Sequence, residues 1–361
     1  MFDINFYMKI ADIKQKLMNK KQLDSAYVLE AYEAALSRKP VLYNFETTNH
    51  CNMICGFCPR TNLMTRELES MPPDVFTRVA DQLEPHSEAD WKCWETFATS
   101  KYNIGPDEMS ENHFFLYIIP RVMVLHGYGE PLLDQNLPGY VRYLSAKGIP
   151  TYFSCNPANI DVDKTIEFFE SGLDYIKYSI DSVDDLAHKE IRGNASNFTR
   201  AYDKILKILE IKESRKLKSQ VVITMIDFGR ENQLEDYAAL ERCFKDQDVY
   251  IYLKSQDQQW LTDNPRGTKS VHWSEFCQYP WTSMTINCNG QAVKCSDDYN
   301  AETILGDVRK ESLEEIWNGE AYKRFRESHF VRTSDLQCVK RCDMTLTGDL
   351  TTGTHLKKTT H

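Results

Sequence analysis

Three cysteines within eight residues are the most chemically distinctive feature of the sequence. Cys51, Cys55 and Cys58 are separated by three and two residues in the run Cys-Asn-Met-Ile-Cys-Gly-Phe-Cys. Thiolates this close in sequence can reach one soft metal centre from a single loop. A closed zinc site uses four ligands, usually in two pairs, and the adjacent His50 is poorly placed to complete one. Three thiolates on a four-iron cluster instead leave one iron open for a further ligand.

The run resembles the signature of the radical S-adenosylmethionine (SAM) superfamily, C-x3-C-x-aromatic-C, with Phe57 in the aromatic position. The resemblance implies a [4Fe-4S] cluster on Cys51, Cys55 and Cys58 whose open iron binds the methionine moiety of SAM. Reductive cleavage then gives a 5′-deoxyadenosyl radical that removes a hydrogen atom from the substrate. It also implies an electron donor such as flavodoxin or ferredoxin. A zinc knuckle is the alternative interpretation.

Composition excludes several functional classes. With 361 residues, 42% of them hydrophobic, the chain has room for one large domain and a smaller one. A net charge of −10 argues against nucleic-acid binding. No apolar run approaches the roughly 18 residues of a membrane span, and the N-terminus lacks a signal-peptide pattern. Eleven cysteines in this context indicate metal ligands and reduced thiols, and hence a cytoplasmic protein.

Strand and helix signals alternate from residue 41 to about 258, which predicts parallel β/α units. Six strands are expected, at Val41–Glu46, Arg121–His126, Pro150–Phe153, Tyr175–Ile180, Gln220–Ile226 and Val249–Leu253. Helices are expected at Pro73–Leu83, Leu137–Lys147, Val162–Ser171, Ser196–Lys216 and Gln233–Lys245. Six such units resemble the partial (β/α)6 barrel of the radical SAM superfamily, in which functional groups lie at the C-terminal ends of the strands.

The predicted domain organisation has four parts. Residues 1–40 form a helical segment, and residues 41–260 form the barrel. An insertion over about residues 84–112, rich in aromatic residues, is expected to be a decoration or an interface element. Residues 261–345 form a small C-terminal domain, and residues 346–361 form a flexible tail.

Glycines and a carboxylate follow the second predicted strand, in the run His-Gly-Tyr-Gly-Glu-Pro-Leu-Leu that begins at His126. Glycine allows a close approach of the backbone to a ligand. The run resembles the G-G-E-P motif of the superfamily. The resemblance implies that the backbone near Tyr128 and Gly129, with the region of Glu130, holds the amino group of SAM.

Polar residues also end the fourth predicted strand. Ser179 and Asp181 resemble the superfamily's S-x-D strand end, which holds the SAM ribose, and Arg192 with Gly193 resembles an R-G pair whose guanidinium binds the SAM carboxylate. The structural alternative is that Asp181 caps a helix and Arg192 forms an ion pair.

A second cysteine set lies in the C-terminal region, around a predicted hairpin turn at Asn289-Gly290. It resembles the SPASM/twitch extension of radical SAM enzymes. The resemblance implies one auxiliary [4Fe-4S] cluster held by four thiolates, those of Cys277, Cys295, Cys338 and Cys342. The spacing of the last pair, C-x3-C, departs from the common C-x2-C, and Cys288 is a spare. Zinc is the rival metal for four thiolates.

The layout is similar to that of the 2-deoxy-scyllo-inosamine dehydrogenase of aminoglycoside biosynthesis. It implies an oxidoreductase that dehydrogenates or epimerises a small sugar- or cyclitol-like substrate. Epimerisation needs a hydrogen donor, for which Cys155 is a candidate, although a buried structural cysteine is the commoner case. Two alternatives are a maturase that modifies a ribosomal peptide and a non-catalytic iron–sulfur or zinc protein.

Overall fold

Six parallel strands form the framework of the structure, a computed structural model that describes residues 1–18, 23–105, 108, 110–193, 195–255 and 277–330. They run in the order of the chain across one sheet, as the alternating pattern predicts, and their bounds are β1 Leu42–Phe45, β2 Met123–Val124, β3 Thr151–Cys155, β4 Tyr175–Ser179, β5 Gln220–Asp227 and β6 Val249–Ser255. Three further strands extend the sheet beyond β1, namely β7 Met284–Ile286, β8 Gln291–Val293 and β9 Ile304–Asp307. The predicted α/β class with a parallel six-stranded unit is confirmed.

Helices connect the strands of the parallel unit. The N-terminal segment contains α1 Ile4–Lys9, α2 Ala11–Met18 and α3 Ser25–Ala35. The parallel unit contains α4 Pro59–Asn62, α5 Pro73–Ala80, α6 Glu88–Tyr102, α7 Glu111–His113, a π-helix at Phe114–Ile118, α8 Leu137–Ala146, α9 Val162–Glu170, α10 Asp185–Arg192, α11 Phe198–Ser214 and α12 Gln233–Cys243, with 3-10 turns at Pro131–Leu133 and Pro157–Asn159. The C-terminal region contains α13 Tyr279–Thr282, α14 Leu313–Asn318 and α15 Glu320–Ser328.

Alternation along the strands divides the sheet into two faces. On β3 and β4, Phe153 and Ile176 belong to the core beneath the outer helices, whereas Tyr152 belongs to a separate core on the inner face. Lys177, the neighbour of Ile176, points to the inner face, where its ammonium lies 5.5 Å from the centre of the Tyr152 ring. Side chains two residues further along, towards the C-terminal strand ends, therefore point into the same concave space.

The insertion at residues 84–112 is part of this inner core and not a surface decoration. Trp94 on α6 is fully buried and donates a hydrogen bond from Nε1 to the carbonyl of Leu116, 2.7 Å away. Phe114, at the start of the π-helix, packs edge-on against Tyr152 with ring centres 5.5 Å apart. The insertion and the π-helix that follows it thus cover the N-terminal part of the inner face and give it an aromatic floor.

The C-terminal region is joined to the barrel sheet through β7, which pairs in parallel with β1. The predicted hairpin is confirmed, since β7 pairs antiparallel with β8 and Gly290 occupies the turn with a φ of +83°. α14 begins with a capping box formed by Ser312 and Glu315. Trp281 of α13 packs edge-on against Tyr32 of α3, so the N-terminal helices contact the C-terminal region.

Among the described helices, none combines the length and the apolar character that a membrane span requires.

Candidate functional site

The cysteine loop leaves the C-terminal end of β1, where the β/α rule places functional groups. Cys55 is buried and its thiol contacts the carbonyl oxygen of Arg192 at 3.5 Å, while the side-chain amide of Asn156 lies 3.9 Å from the same sulfur. Burial raises the pKa of all three thiols, and each thiol also raises the pKa of a neighbour through its charge. The three sulfur atoms therefore occupy one partly buried region.

Gly129 lies against the segment that leads into the cysteine loop. A Cβ atom at Gly129 would fall 2.1 Å from the carbonyl oxygen of Thr48, a distance that no side chain tolerates. Next to it, the backbone amide of Glu130 donates to the carbonyl of His50, 2.7 Å away. The glycine motif after β2 and the cysteine motif after β1 are thus held together by backbone contacts, as the resemblance requires of a common SAM pocket.

The carboxylate of Glu130 is buried and bonded to the protein itself. It accepts hydrogen bonds from the backbone amides of Leu132, at 3.2 Å, and Asn156, at 2.8 Å. Burial, the largest influence, raises the pKa of this carboxyl to about 7, despite those bonds. In this arrangement Glu130 connects the loop after β2 to the loop after β3.

Asp181 and Arg192 form a buried ion pair, which is the structural alternative considered for these residues. Arg192 Nε lies 2.5 Å from Asp181 Oδ2, and Asp181 Oδ1 accepts a hydrogen bond from the amide of Ile226. Both oxygens of Asp181 thus have protein partners, and the residue positions Arg192; its contact with the ribose stays a prediction. Helix α10 is capped by Asp184 and not by Asp181.

Arg192 faces the cysteine loop. Its guanidinium carbon lies 5.1 Å from the centre of the Phe57 ring, and the same ring packs on Phe228 at 5.2 Å. The aromatic residue of the cysteine motif thus orients an arginine beside Cys55. Ser179 lies on the inner face, where its hydroxyl is 3.3 Å from that of Ser154. The contacts of Arg192 and Ser179 with SAM stay predictions.

Glu46 and Arg66 form a junction that the sequence analysis missed. Their ion pair is two-pronged, at 2.8 and 2.9 Å, and both side chains are buried. Glu46 also accepts hydrogen bonds from the amides of Tyr128, at 3.1 Å, and Cys288, at 3.2 Å. Arg66 donates to the carbonyl of Tyr299. The pair therefore links the SAM motif to the C-terminal region. The sequence signal that could have identified it is a charged residue, Glu46, directly after an apolar strand.

The cysteines of the C-terminal region fall into two groups. Cys277 precedes α13 and Cys295 follows β8, and both are partly exposed, whereas Cys338 and Cys342 lie outside the described residues. Cys288 is buried in the core beside Glu46, and burial raises the pKa of its thiol. That position agrees with its role as a spare.

Tyr128 lies between the two cysteine regions. Burial, followed by the charges of Asp297, Cys295 and Cys58, raises the pKa of its hydroxyl well above the usual value. Its ring packs edge-on against Tyr299 with centres 6.0 Å apart.

Cys155 does not face the site. It lies in the core between the sheet and the outer helices, is 3% exposed, and its thiol contacts the carbonyl of Lys177. The strand directs the side chain away from the inner face, which supports the buried structural cysteine that the sequence analysis gave as the commoner case; the role of hydrogen donor stays a prediction.

Two family models match the chain. The model of the radical SAM superfamily matches residues 99–241, and that of the iron–sulfur-cluster-binding SPASM domain matches residues 277–343. The chain therefore contains a radical SAM domain followed by a SPASM domain. It is therefore an enzyme that uses SAM and a [4Fe-4S] cluster, and its SPASM domain adds auxiliary iron–sulfur binding. A non-catalytic metal protein is excluded. The superfamily match begins after the cysteine loop, so the three ligands there are assigned from the motif and its surroundings.

Solved structures of radical SAM proteins are similar to this chain. The structure of histidine-tagged anSMEcpe with bound AdoMet has a TM-score of 0.51 at 12% identity, over 81% of this chain and 84% of the other, and confirms the fold. BtrN in complex with AdoMet and 2-DOIA has a TM-score of 0.46 at 15% identity, over 80% and 86%. Streptococcus suis SuiB bound to precursor peptide SuiA has a TM-score of 0.49 at 14% identity, over 84% and 70%.

The cysteine loop fits the cluster that the family requires. Three thiols share one loop, and an amide of Asn156 lies within reach of one sulfur. In the described part of the chain, no three Cys, His, Asp or Glu side chains already stand in metal-ligating geometry. Cluster binding would draw the thiols of Cys51, Cys55 and Cys58 together and release their protons.

Proposed function

We propose that this enzyme is an oxidoreductase that removes a hydrogen atom from a carbon of a small sugar- or cyclitol-like substrate, in a dehydrogenation or an epimerisation. The observation that carries the proposal is the character of the inner face at the C-terminal strand ends. His126, Ser154 and Ser179 line it there, above the aromatic floor of Phe114 and Tyr152. Hydroxyl and imidazole groups suit a substrate that is covered with hydroxyls.

The floor limits the depth of the chamber. Phe114 and Tyr152 are almost completely buried, and Tyr152 lies two residues before Ser154 on β3. A substrate that enters from the C-terminal strand ends would therefore contact His126, Ser154 and Ser179 before the aromatic rings. This depth suits a compact ring better than an extended side chain.

The chain's own residues position the reactants. Cys51, Cys55 and Cys58 would hold the SAM-binding cluster, and Phe57 with Arg192 would flank it. The backbone of Tyr128 and Gly129 would take the amino group of SAM, Arg192 its carboxylate and Ser179 its ribose. Once bound, SAM and the reduced cluster supply a radical that removes the hydrogen atom.

Four cysteines would hold one auxiliary [4Fe-4S] cluster, which supplies an acceptor for the remaining electron of the substrate. These are Cys277, Cys295, Cys338 and Cys342. We assign the enzyme to the cytoplasm, with reduced flavodoxin or ferredoxin as electron donor, because its clusters are oxygen-sensitive.

The test is hydrogen transfer from labelled substrates. The anaerobically reconstituted enzyme is supplied with dithionite, SAM and a panel of carbon-deuterated hexoses, aminosugars and cyclitols. We expect deuterium in 5′-deoxyadenosine from at least one of them, together with a ketone or, in heavy water, an epimer labelled from solvent. A C51A/C55A/C58A variant is the control and should form no 5′-deoxyadenosine. Deuterium transfer from a peptide, and from none of the polyols, would contradict the proposal and identify a peptide maturase.

A further inference from the structure

The loop between β5 and α12 contains an arginine that none of the sequence motifs includes. Arg230 donates from Nη2 to the main-chain carbonyl of Asp181, at 2.7 Å, and to Oδ2 of Asp236, at 2.9 Å. Its Nε donates to the side-chain oxygen of Gln233, 3.2 Å away. The side chain is 32% exposed, and because a guanidinium is planar, these three acceptors define its orientation.

Asp236 holds the same segment one step further along the chain. Its Oδ1 accepts a hydrogen bond from the amide of Val183 at 2.9 Å, while its Oδ2 binds Arg230, and its side chain is 12% exposed. Arg230 and Asp236 therefore fix the path of the backbone at residues 181–183, directly beyond the C-terminal end of β4.

Asp181 passes this placement on to Arg192. Its Oδ2 accepts from Nε of Arg192 at 2.5 Å, and its Oδ1 accepts from the amide of Ile226 at 2.9 Å. Within the described part of the chain, the two terminal amino groups of Arg192 have no protein acceptor. They belong to a guanidinium whose carbon lies 5.1 Å from the centre of the Phe57 ring. The cysteine loop is thus flanked by N–H donors that an anion can use.

The loop after β5 reaches the cysteine motif by a second route. Phe228 packs on Phe57 with ring centres 5.2 Å apart. The amide of Phe228 donates to the side-chain oxygen of Gln233, at 3.1 Å, and this is the oxygen that also accepts from Arg230. Since Phe57 contacts Arg192 as well, the contacts form a closed ring from Arg230 through Asp181 and Arg192 to Phe57 and back.

We propose that Arg230 is a positioning residue for SAM, which holds the backbone of Asp181 and so directs the terminal amino groups of Arg192 towards the SAM carboxylate. This inference rests on the proposed function, in which Arg192 binds that carboxylate. Arg230 itself does not contact SAM in this arrangement. Its removal should therefore weaken the contact with the carboxylate and leave the contacts with the rest of SAM in place.

The test compares two ligands that differ only at the carboxylate. SAM and decarboxylated SAM are bound by equilibrium dialysis to the anaerobically reconstituted enzyme, without a reductant, so that neither is cleaved. R230K keeps a cation that can still donate to the Asp181 carbonyl, and R215M matches the charge change at an exposed ion pair. These two variants are measured beside the wild type, R230M, R192M and R192M/R230M. Iron content is determined for each, which separates loss of the cluster from loss of a ligand contact.

We expect R192M to weaken SAM binding about tenfold or more, as the loss of a charge-assisted bond predicts, and R230M to weaken it about fivefold. R230K should recover part of this loss, and R215M should bind as the wild type does. The double variant should bind SAM no more weakly than R192M, because Arg230 acts through Arg192. Decarboxylated SAM should bind all variants within about twofold of the wild type.

Three results would overturn the inference. R230M could bind SAM as tightly as the wild type, it could weaken both ligands equally, or its effect could persist in full in the R192M background. If R192M itself does not distinguish the two ligands, the proposed contact of Arg192 with the carboxylate fails, and the role of Arg230 fails with it. A selective effect of R230M without deuterium transfer from any polyol contradicts the proposed substrate class alone.

Discussion

The junction of Glu46 and Arg66 offers the sharpest test of how this fold holds its functional loops. Glu46 is 1% exposed, and its carboxylate has four polar contacts: two with Arg66 and one each with the amides of Tyr128 and Cys288. Burial alone would lower the pKa of Arg66, but the bonds to Glu46 outweigh it and the pKa is raised. Each charge therefore stabilises the other in its buried position.

Removal of one partner should be costly. R66M leaves the Glu46 carboxylate buried with only two backbone amides to stabilise it, which we expect to lower the free energy of unfolding by about 3–5 kcal/mol. In E46Q/R66M both charges are absent, and the amide oxygen of glutamine can still accept from one backbone N–H. We expect the double variant to recover about 2 kcal/mol or more of the loss, because desolvation of an unpaired charge dominates the single variant.

The assay is urea denaturation of the metal-free protein under anaerobic conditions, followed by circular dichroism. Arg215 and Glu170 provide the matched control, since their ion pair is equally short, at 2.7 Å, but its side chains are 54% and 51% exposed. R215M should cost about 1 kcal/mol or less. The reasoning is refuted if R66M costs no more than R215M, or if the double variant is less stable than R66M.

Single positions provide three further tests. G129A should abolish SAM binding, measured by equilibrium dialysis, because its Cβ would lie 2.1 Å from the Thr48 carbonyl oxygen, whereas G139A, with no atom within 4 Å, should bind normally. C155A should keep its product yield and lose about 1 kcal/mol of stability, since the thiol lies in the core; loss of epimerised product would contradict this placement. Burial and then Arg192 lower the pKa of His188 from 6.5 to about 4, so between these pH values the unfolded chain gains a proton that the folded chain excludes. Stability should therefore fall by up to about 3 kcal/mol as the pH drops from 6.5 to 4, and H188Q should show a flatter profile in urea titrations.

Elements with a strong local pattern could be predicted from the sequence. The strand that ends at Ser179 is apolar on one face and is followed by polar residues, and its observed bounds, Tyr175–Ser179, differ from the expected ones by one residue. The hairpin at Gly290 was evident from the Asn-Gly pair. The helix Asp185–Arg192 was missed, because only His188 and Arg192 on it are buried and no apolar stripe marks it.

Contacts between distant segments could not be predicted in the same way. The ion pair of Asp181 and Arg192 competes with ligand binding for the same groups, and only the geometry shows that both carboxylate oxygens have protein partners. The position of the insertion depended on tertiary packing too, although Trp91 and Trp94 in one short segment were a signal of burial. A decoration would have left such large apolar rings in water.

The insertion and the glycine motif approach each other at β2. β2 has only two residues, yet it is paired on both sides, with β1 and with β3. Four residues separate the π-helix at Phe114–Ile118 from β2, and His126 lies two residues after the end of β2, so short segments on either side of β2 supply Phe114 and His126. Because a strand rises about 3.3 Å per residue, the two residues of β2 span only about 7 Å between these segments. The segment before β2 therefore supplies Phe114 to the inner face, and the segment after it supplies the glycine motif and His126.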